Sequence, residues 1–141
     1  MIYRASRDGW LVKDFHSRCD KKGATIVVVK STKGRVCGGY TTTPWTNPKG
    51  WAVAVDSEAF VFSLDKLAIY ACLDSKSAIM HCAKQGPTFG NALQIGVYGD
   101  PMNKENSGYC AGQPQYAYYL LKEDKNGNSI LTGDGGKDSN N

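Results

Sequence analysis

The sequence predicts a single, mostly β domain of the α+β class, built like a sandwich around one core. Its 141 residues, 41% of them hydrophobic, are enough to bury the core of one domain. Short apolar runs follow one another at close spacing with glycines between them, which is typical of strands joined by turns. One early stretch has the periodicity of a helix, and neither a repeat nor a linker divides the chain.

The first elements are predicted to be a short strand over residues 1–6, a turn and then a helix. In this helix Leu11, Phe15 and Cys19 recur at every fourth position and would share one buried face. Lysines favour the C-terminal end of a helix, and Gly23 follows two of them. We therefore expect the helix to stop at Gly23 in a left-handed conformation.

A β-hairpin is predicted next. Residues 25–30 form an uninterrupted run rich in β-branched side chains, which indicates a strand buried on both faces. Residues 35–40 return as the antiparallel partner of that strand after a turn at Lys33 and Gly34. Residues 41–55 are expected to form a loop.

The remaining apolar runs predict further strands. They lie at residues 59–64, 67–73, 78–82, 93–98, 115–122 and 129–132. A two-residue turn, Asp65-Lys66, is expected between the first two of these strands. Residues 86–90 are expected to form a loop, and Asn126-Gly127 favours a hairpin.

Composition argues against several functional classes. The net charge of +4 comes from basic residues spread along the chain, whereas a nucleic-acid-binding protein would show a basic stripe among exposed aromatic residues. No apolar run reaches the roughly 18 residues that a membrane span requires, and the first residues lack the apolar core of a signal peptide. Five cysteines without a Cys-x-x-Cys pair indicate reduced thiols and a cytoplasmic location.

Five segments, in the same order along residues 3–90, resemble motifs of the TLDc domain family. They are Tyr3–Trp10 (YRASRDGW), Gly34–Tyr40 (GRVCGGY), Pro44-Trp45, Asp56–Leu64 (DSEAFVFSL) and Gly86–Gly90 (GPTFG). The resemblance implies a sandwich of two antiparallel sheets with helices at the margins. It also implies a role in resistance to oxidative stress and in binding subunits of the vacuolar proton pump, beside an acidic organelle. It brings no catalytic mechanism with it.

The chain departs from the family pattern at two places. Asn91 and Ala92 stand where the family usually carries Gly-His-Asp, and no Glu-Val-aromatic strand closes the sequence. We therefore expect one domain over residues 1–132 that lacks its last strand, in a chain that is a piece of a longer protein. Such a sheet would present an unpaired edge. Residues 133–141 are expected to be a polar, mobile tail.

Six residues are candidates for protein binding: Arg4, Arg7, Asp8, Trp10, Trp45 and Trp51. The first four concentrate charge and an aromatic ring in the opening segment, and exposed tryptophans in a loop are typical of protein interfaces. The alternative is structural. Asp8 would then shape a turn, Arg4 would pair with a buried carboxylate, Trp10 would pack under the helix, and the other two tryptophans would cover one end of the sandwich.

No set of residues predicts catalysis. Cys19 is a redox candidate because it lies beside Arg18 and Lys21, and positive charge lowers the pKa of a thiol, although its place on the apolar helix face indicates an inert residue. No metal or cofactor is predicted, since the adjacent strand residues His81 and Cys82 point to opposite faces. We therefore predict a non-enzymatic protein-interaction domain. Two alternatives stay open: a structural component of a cytoskeletal or ciliary assembly, and a thiol-dependent antioxidant enzyme.

Overall fold

The computed structural model describes residues 1–96, the backbone of residues 108 and 109, and Leu131. It confirms the predicted fold class, since strands in antiparallel sheets dominate and the helices are short. The helices are α1 (Ala5–Asp8) and α2 (Val12–Cys19), with a 3₁₀ turn at Ser75–Ser77. The strands are β1 (Thr25–Lys30), β2 (Val36–Thr41), β3 (Ala52–Ala54), β4 (Phe60–Ser63), β5 (Ala68–Ala71), β6 (Ile79–His81), β7 (Thr88–Phe89), β8 (Leu93–Ile95) and β9 (Gly108–Tyr109).

The described strands form three antiparallel groups. The first has the order β1-β2-β4-β5, the second pairs β3 with β6, and the third has the order β7-β8-β9. The hairpin predicted from residues 25–30 and 35–40 is confirmed, with Val28 opposite Gly38. The predictions for residues 115–122, for Asn126-Gly127 and for the tail lie outside the described residues, as does the end of the domain.

The prediction of a strand at residues 1–6 is wrong, because helix α1 begins at Ala5. The Asp8 carboxylate accepts a hydrogen bond from the backbone N–H of Arg4 at 2.9 Å and closes this turn. Gly9 follows with a φ of 109°. A side chain there would be strained, and its Cβ would collide with the carboxylate of Asp14. The short turn therefore depends on Asp8 and Gly9, as the structural interpretation predicted.

Helix α2 carries the predicted apolar face over most of its length. Phe15 and Cys19 are buried, whereas Leu11 precedes the helix and donates its backbone N–H to Asp14 Oδ2 at 3.0 Å. The helix ends at Cys19, four residues before the predicted stop at Gly23. Lys21 and Gly23 both adopt a positive φ in the segment that follows.

The prediction that strand β1 is buried on both faces is wrong. Its side chains alternate between half-buried and exposed, and Ile26 and Val28 lie on the exposed side. The strand lies at the edge of its sheet, which packs on the core with one face only. β-Branched residues favour a strand whether or not both of its faces are covered, so the run indicated the strand and not its burial.

Three predicted connections also differ from the structure. The connection between β4 and β5 has four residues, 64–67, and Leu67 adopts a φ of 49°. Strand β3 lies inside the predicted loop 41–55, and β7 lies inside the predicted loop 86–90. Loop-forming residues thus flank two very short strands. Strand β3 pairs with β6, far along the chain, whereas β7 pairs with β8, which follows it directly.

The core lies where α2 meets the sheets. Trp45 is 1% exposed, and its ring packs edge-on against Phe15 at 5.7 Å and Phe89 at 5.6 Å between centroids. The Phe89 ring in turn lies over Gly39, where an added Cβ would be 2.6 Å from Cζ. The core therefore leaves no room for a side chain at Gly39.

A buried carboxylate ties β2 to the segment before β4. Asp56 is 4% exposed. It accepts hydrogen bonds from the hydroxyl of Thr41 at 2.6 Å, the backbone N–H of Thr42 at 2.8 Å, and the backbone N–H of Glu58 at 3.0 Å. Burial alone would raise the pKa of Asp56, but these hydrogen bonds outweigh it and the pKa is lowered. The carboxylate therefore stays ionised in the fold.

Candidate protein-binding surface

The opening segment holds its charges in a local network. The Arg7 guanidinium donates to both oxygens of Asp8, at 2.8 and 2.6 Å, and Arg18 lies 3.6 Å from the same carboxylate. The hydrogen bond from Arg7 lowers the pKa of Asp8 well below its usual range. The predicted pairing of Arg4 with a buried carboxylate is not found among the described residues, and its guanidinium Nε donates to Ser6 Oγ at 3.0 Å. This network shapes α1.

The three tryptophans predicted to bind a partner differ in their exposure to solvent. The proposed binding role of Trp45 is wrong, because its ring is enclosed by the core and its Nε1–H donates to Thr25 Oγ1 at 2.8 Å. Trp10 is 40% exposed, so it does not pack fully under the helix. Trp51 is 56% exposed. Trp45 and Trp51 both lie in the connection between β2 and β3, but Trp45 is buried in the core whereas Trp51 is exposed.

Trp51 begins a row of exposed apolar side chains along β3. Trp51, Val53 and Val55 are 56%, 58% and 66% exposed, while the intervening Ala52 and Ala54 are half-buried. Side chains alternate along a strand, so the three large residues share one face. Met80 on β6 is paired with Val53 and is half-buried beside it. We call Trp51, Val53, Val55 and Met80 the Trp51 face.

The outer edge of β3 is free of strand pairing within the described chain. Ala52, Val53 and Ala54 are registered against His81, Met80 and Ile79 of β6, and β3 is paired with no other strand of that part. The opposite edge of β3 therefore offers backbone N–H and C=O groups to a further strand.

A pocket of about 240 Å³ lies at the start of β3. Its lining is Lys49, Gly50, Trp51, Cys82, Lys84 and Gln85. Sites that enclose whole small molecules usually measure roughly 300–1,000 Å³, so this pocket suits one side chain better than a cofactor. Both lysines are exposed, and no ion pair with an acid engages either of them among residues 1–96. We call this the lysine pocket.

His16 fixes the floor of the lysine pocket. Its Nε2 lies 2.9 Å from the carbonyl oxygen of Gln85 and 3.2 Å from that of Cys82, and its Nδ1 lies 2.8 Å from Asp20 Oδ1. Carbonyl and carboxylate oxygens only accept hydrogen bonds, so the ring makes all these contacts only when both nitrogens carry a proton. The His16–Asp20 spacing of four residues is visible in the sequence, but the partners at 82 and 85 are not.

Comparison with known protein families decides the identity of the fold. The family model described as the TLDc domain matches residues 1–135. The chain belongs to the TLDc domain family. The match extends beyond the five motifs, which ended at residue 90. A search of curated proteins found no match.

Two cysteines of this TLDc domain, Cys19 and Cys37, lie in surroundings that favour the protonated thiol. Cys19 is 4% exposed, and burial raises its pKa to about 11. Burial likewise raises the pKa of Cys37 to about 11. A reactive thiol needs exposure and a lowered pKa, and Cys19 has neither. Among the residues that the structure describes, no group of three metal-ligating side chains comes together.

No helix in the described part of the TLDc domain has the length and apolar character to span a membrane.

The second histidine is buried in the core. His81 is buried beside Trp45, at 5.8 Å between ring centroids, and its Nδ1 has no hydrogen-bond partner among the described residues. Burial lowers the pKa of His81, with Asp20 acting in the opposite direction and His16 in the same one. The ring therefore resists protonation while the domain is folded.

We expect stability to fall as the pH drops below about 6.5, the ordinary pKa of an unfolded histidine. Below that pH the unfolded chain takes up a proton at His81 that the folded chain does not bind, so acid favours unfolding by at most about 1.4 kcal/mol per pH unit. Urea unfolding at pH 7.5 and pH 5.5 measures the loss. The variant His81→Phe, which cannot titrate, should lose less over the same interval, and an equal loss in both proteins would contradict the assignment.

Proposed function

We propose that this TLDc domain is a non-enzymatic protein-interaction module that binds the vacuolar proton pump and thereby acts in resistance to oxidative stress. The observation that carries the proposal is the Trp51 face. Three large apolar side chains, in β3 and directly on either side of it, are exposed to water, and contiguous exposed apolar surface of this kind marks interaction sites. Membership of the TLDc family supports the choice of partner.

The composition of the surface supports protein binding. Tryptophan is enriched among residues that dominate binding energy, and a half-exposed indole flanked by valines loses much water-exposed area on contact. The neighbouring lysines give the apolar row a charged border, which orients a partner and excludes wrong ones.

The absence of an evident reaction centre in the described part also favours binding over catalysis. The thiols of Cys19 and Cys37 are buried with raised pKa values, which disfavours the thiolate that attacks a peroxide. Both ring nitrogens of His16 face acceptors of the protein itself. A general base needs a free nitrogen within reach of its substrate.

The test is a direct binding measurement with the purified catalytic sector of the pump. The wild-type domain, immobilised on a biosensor, is expected to bind, and Trp51→Ala is expected to weaken binding by about tenfold or more because it removes the aromatic side chain of the Trp51 face. Leu67→Ala is the matched control, since Leu67 is 92% exposed but lies in the turn between β4 and β5. Thermal melting of each variant verifies the fold.

Two results would overturn the proposal. Failure of the wild-type domain to bind the sector would exclude the pump as partner. Equal weakening by Trp51→Ala and Leu67→Ala would show that the Trp51 face is not the contact.

A further inference from the structure

We propose that the edge of β3 opposite β6, which no strand of the described residues occupies, receives an extended segment of the partner protein that carries alternating apolar residues followed by an acidic residue. The segment would add a strand to β3, and its acid would enter the lysine pocket. This inference rests on the proposed function, because it specifies the part of the partner that the same surface recognises.

The backbone supplies the first half of the recognition. Strand β3 is hydrogen-bonded to β6 on one side, and within the described chain no strand pairs with its other side. An incoming strand would satisfy the backbone groups of β3 that point away from β6, as in other cases of strand addition. Alternate side chains of the incoming strand would then lie on the same side as Trp51, Val53 and Val55 and cover their exposed surface.

Charge supplies the second half. Among the described residues, the lining of the lysine pocket contains Lys49 and Lys84 and no acidic residue. Two uncompensated ammonium groups around an opening that fits one side chain favour a carboxylate. Both lysines lie at the surface, so their contribution should weaken as salt is added.

The position of the pocket fixes the direction of the segment. Lys49 precedes β3 in the chain, so the pocket lies at the N-terminal end of that strand. Antiparallel pairing is slightly more stable than parallel pairing and places the C-terminal end of an added strand at this end. The acidic residue is therefore expected after the apolar ones, in the order apolar-x-apolar-x-acid.

The floor of the pocket is already in place before binding. His16, itself 6% exposed, bonds to the backbone carbonyls of Cys82 and Gln85. Ala83 donates its N–H to the carbonyl of Pro48 at 3.1 Å, which ties the two sides of the pocket together. Binding therefore does not have to order this loop, and preorganisation of this kind strengthens binding of a short segment.

The experiment is a selection from a display library of random nine-residue peptides on the intact chain, followed by fluorescence anisotropy with the selected peptides. The expected motif has apolar residues at alternate positions and Asp or Glu after them. N-methylation of the peptide at the backbone positions that face β3 should abolish binding, while N-methylation at the alternate positions should leave it unchanged. Enrichment of helical or basic motifs, or indifference to N-methylation, would overturn the proposal.

Charge reversal tests the pocket. The double variant Lys49→Glu, Lys84→Glu should weaken binding of the acidic peptide by about tenfold or more and should recover binding when the peptide acid is replaced by lysine. The matched control is Lys33→Glu, Lys66→Glu. It changes the net charge by the same amount, but in two turns of the four-stranded sheet β1-β2-β4-β5. Equal effects of the two double variants, or no recovery by the lysine peptide, would contradict a specific pocket.

The two proposals fail in different ways. The pump sector could bind, and Trp51→Ala could weaken that binding, without selection of any strand-adding peptide. In that case the Trp51 face is the contact and strand addition is wrong. If the selected peptides bind as expected and the pump sector does not, the recognition mode stands and the partner is another protein.

Discussion

Asp56→Ala is expected to lower the free energy of unfolding by about 3–4 kcal/mol, one of the two largest single-residue effects in the domain. The alanine would leave buried donors without an acceptor, among them the hydroxyl of Thr41 and the backbone N–H groups of Thr42 and Glu58. Those donors cannot turn to water without opening the end of β2. Urea denaturation at pH 7 measures the change.

Two further variants test whether the loss comes from the buried carboxylate. Asp56→Asn keeps an acceptor oxygen and should cost less than the alanine. Asp65→Ala also removes a carboxylate, one that accepts from the backbone N–H of Val36 at 2.6 Å, but at an exposed site where water replaces it. It should cost less than about 1 kcal/mol. Equal losses for Asp56→Ala and Asp65→Ala would refute the role of the buried carboxylate.

Trp45→Ala is expected to cost about 3–5 kcal/mol, because it leaves a large cavity among close-packed rings. The indole contacts Phe15, His81 and Phe89 edge-on and donates to Thr25, so the core cannot collapse without losing several of these contacts. The measurement is again urea unfolding, followed by circular dichroism.

The chain supplies its own control for this prediction. Trp51 lies six positions further on and is 56% exposed, and Trp51→Ala should change stability by about 0.5 kcal/mol or less. The two variants should therefore separate stability from binding: Trp45→Ala acts on the first and Trp51→Ala on the second. A Trp51 variant as unstable as the Trp45 variant would mean that the Trp51 face is part of the core.

The parts of the fold that the sequence predicted correctly depend on neighbours in the chain. The β1–β2 hairpin follows from two apolar runs and a Lys-Gly turn, and the buried positions Phe15 and Cys19 follow from the period of a helix. The exposure of Ile26 and Val28 could not be predicted in this way. It depends on which face of the finished sheet meets the core, and that is decided by elements elsewhere in the chain.

The candidate site was predicted only in part for the same reason. Trp51 was among the predicted binding residues, and the alternation from Trp51 to Val55 could have revealed β3 and its exposed face. Lys49 and Lys84 become neighbours only through the pairing of β3 with β6. Nothing in the local sequence of either lysine signals that proximity.

The contact between His16 and the loop after β6 has a consequence for biosynthesis. His16 contacts the carbonyl groups of Cys82 and Gln85, which lie 66 and 69 positions later in the chain. At a synthesis rate of about 5–20 residues per second, α2 waits roughly 3–13 s before the carbonyls that its histidine binds have been made. Hairpins β1–β2 and β4–β5 join near neighbours and can form during that interval, but Phe15 and Trp45 still lack Phe89. The nascent chain therefore exposes its largest aromatic residues for seconds, when it is most open to aggregation and to capture by chaperones.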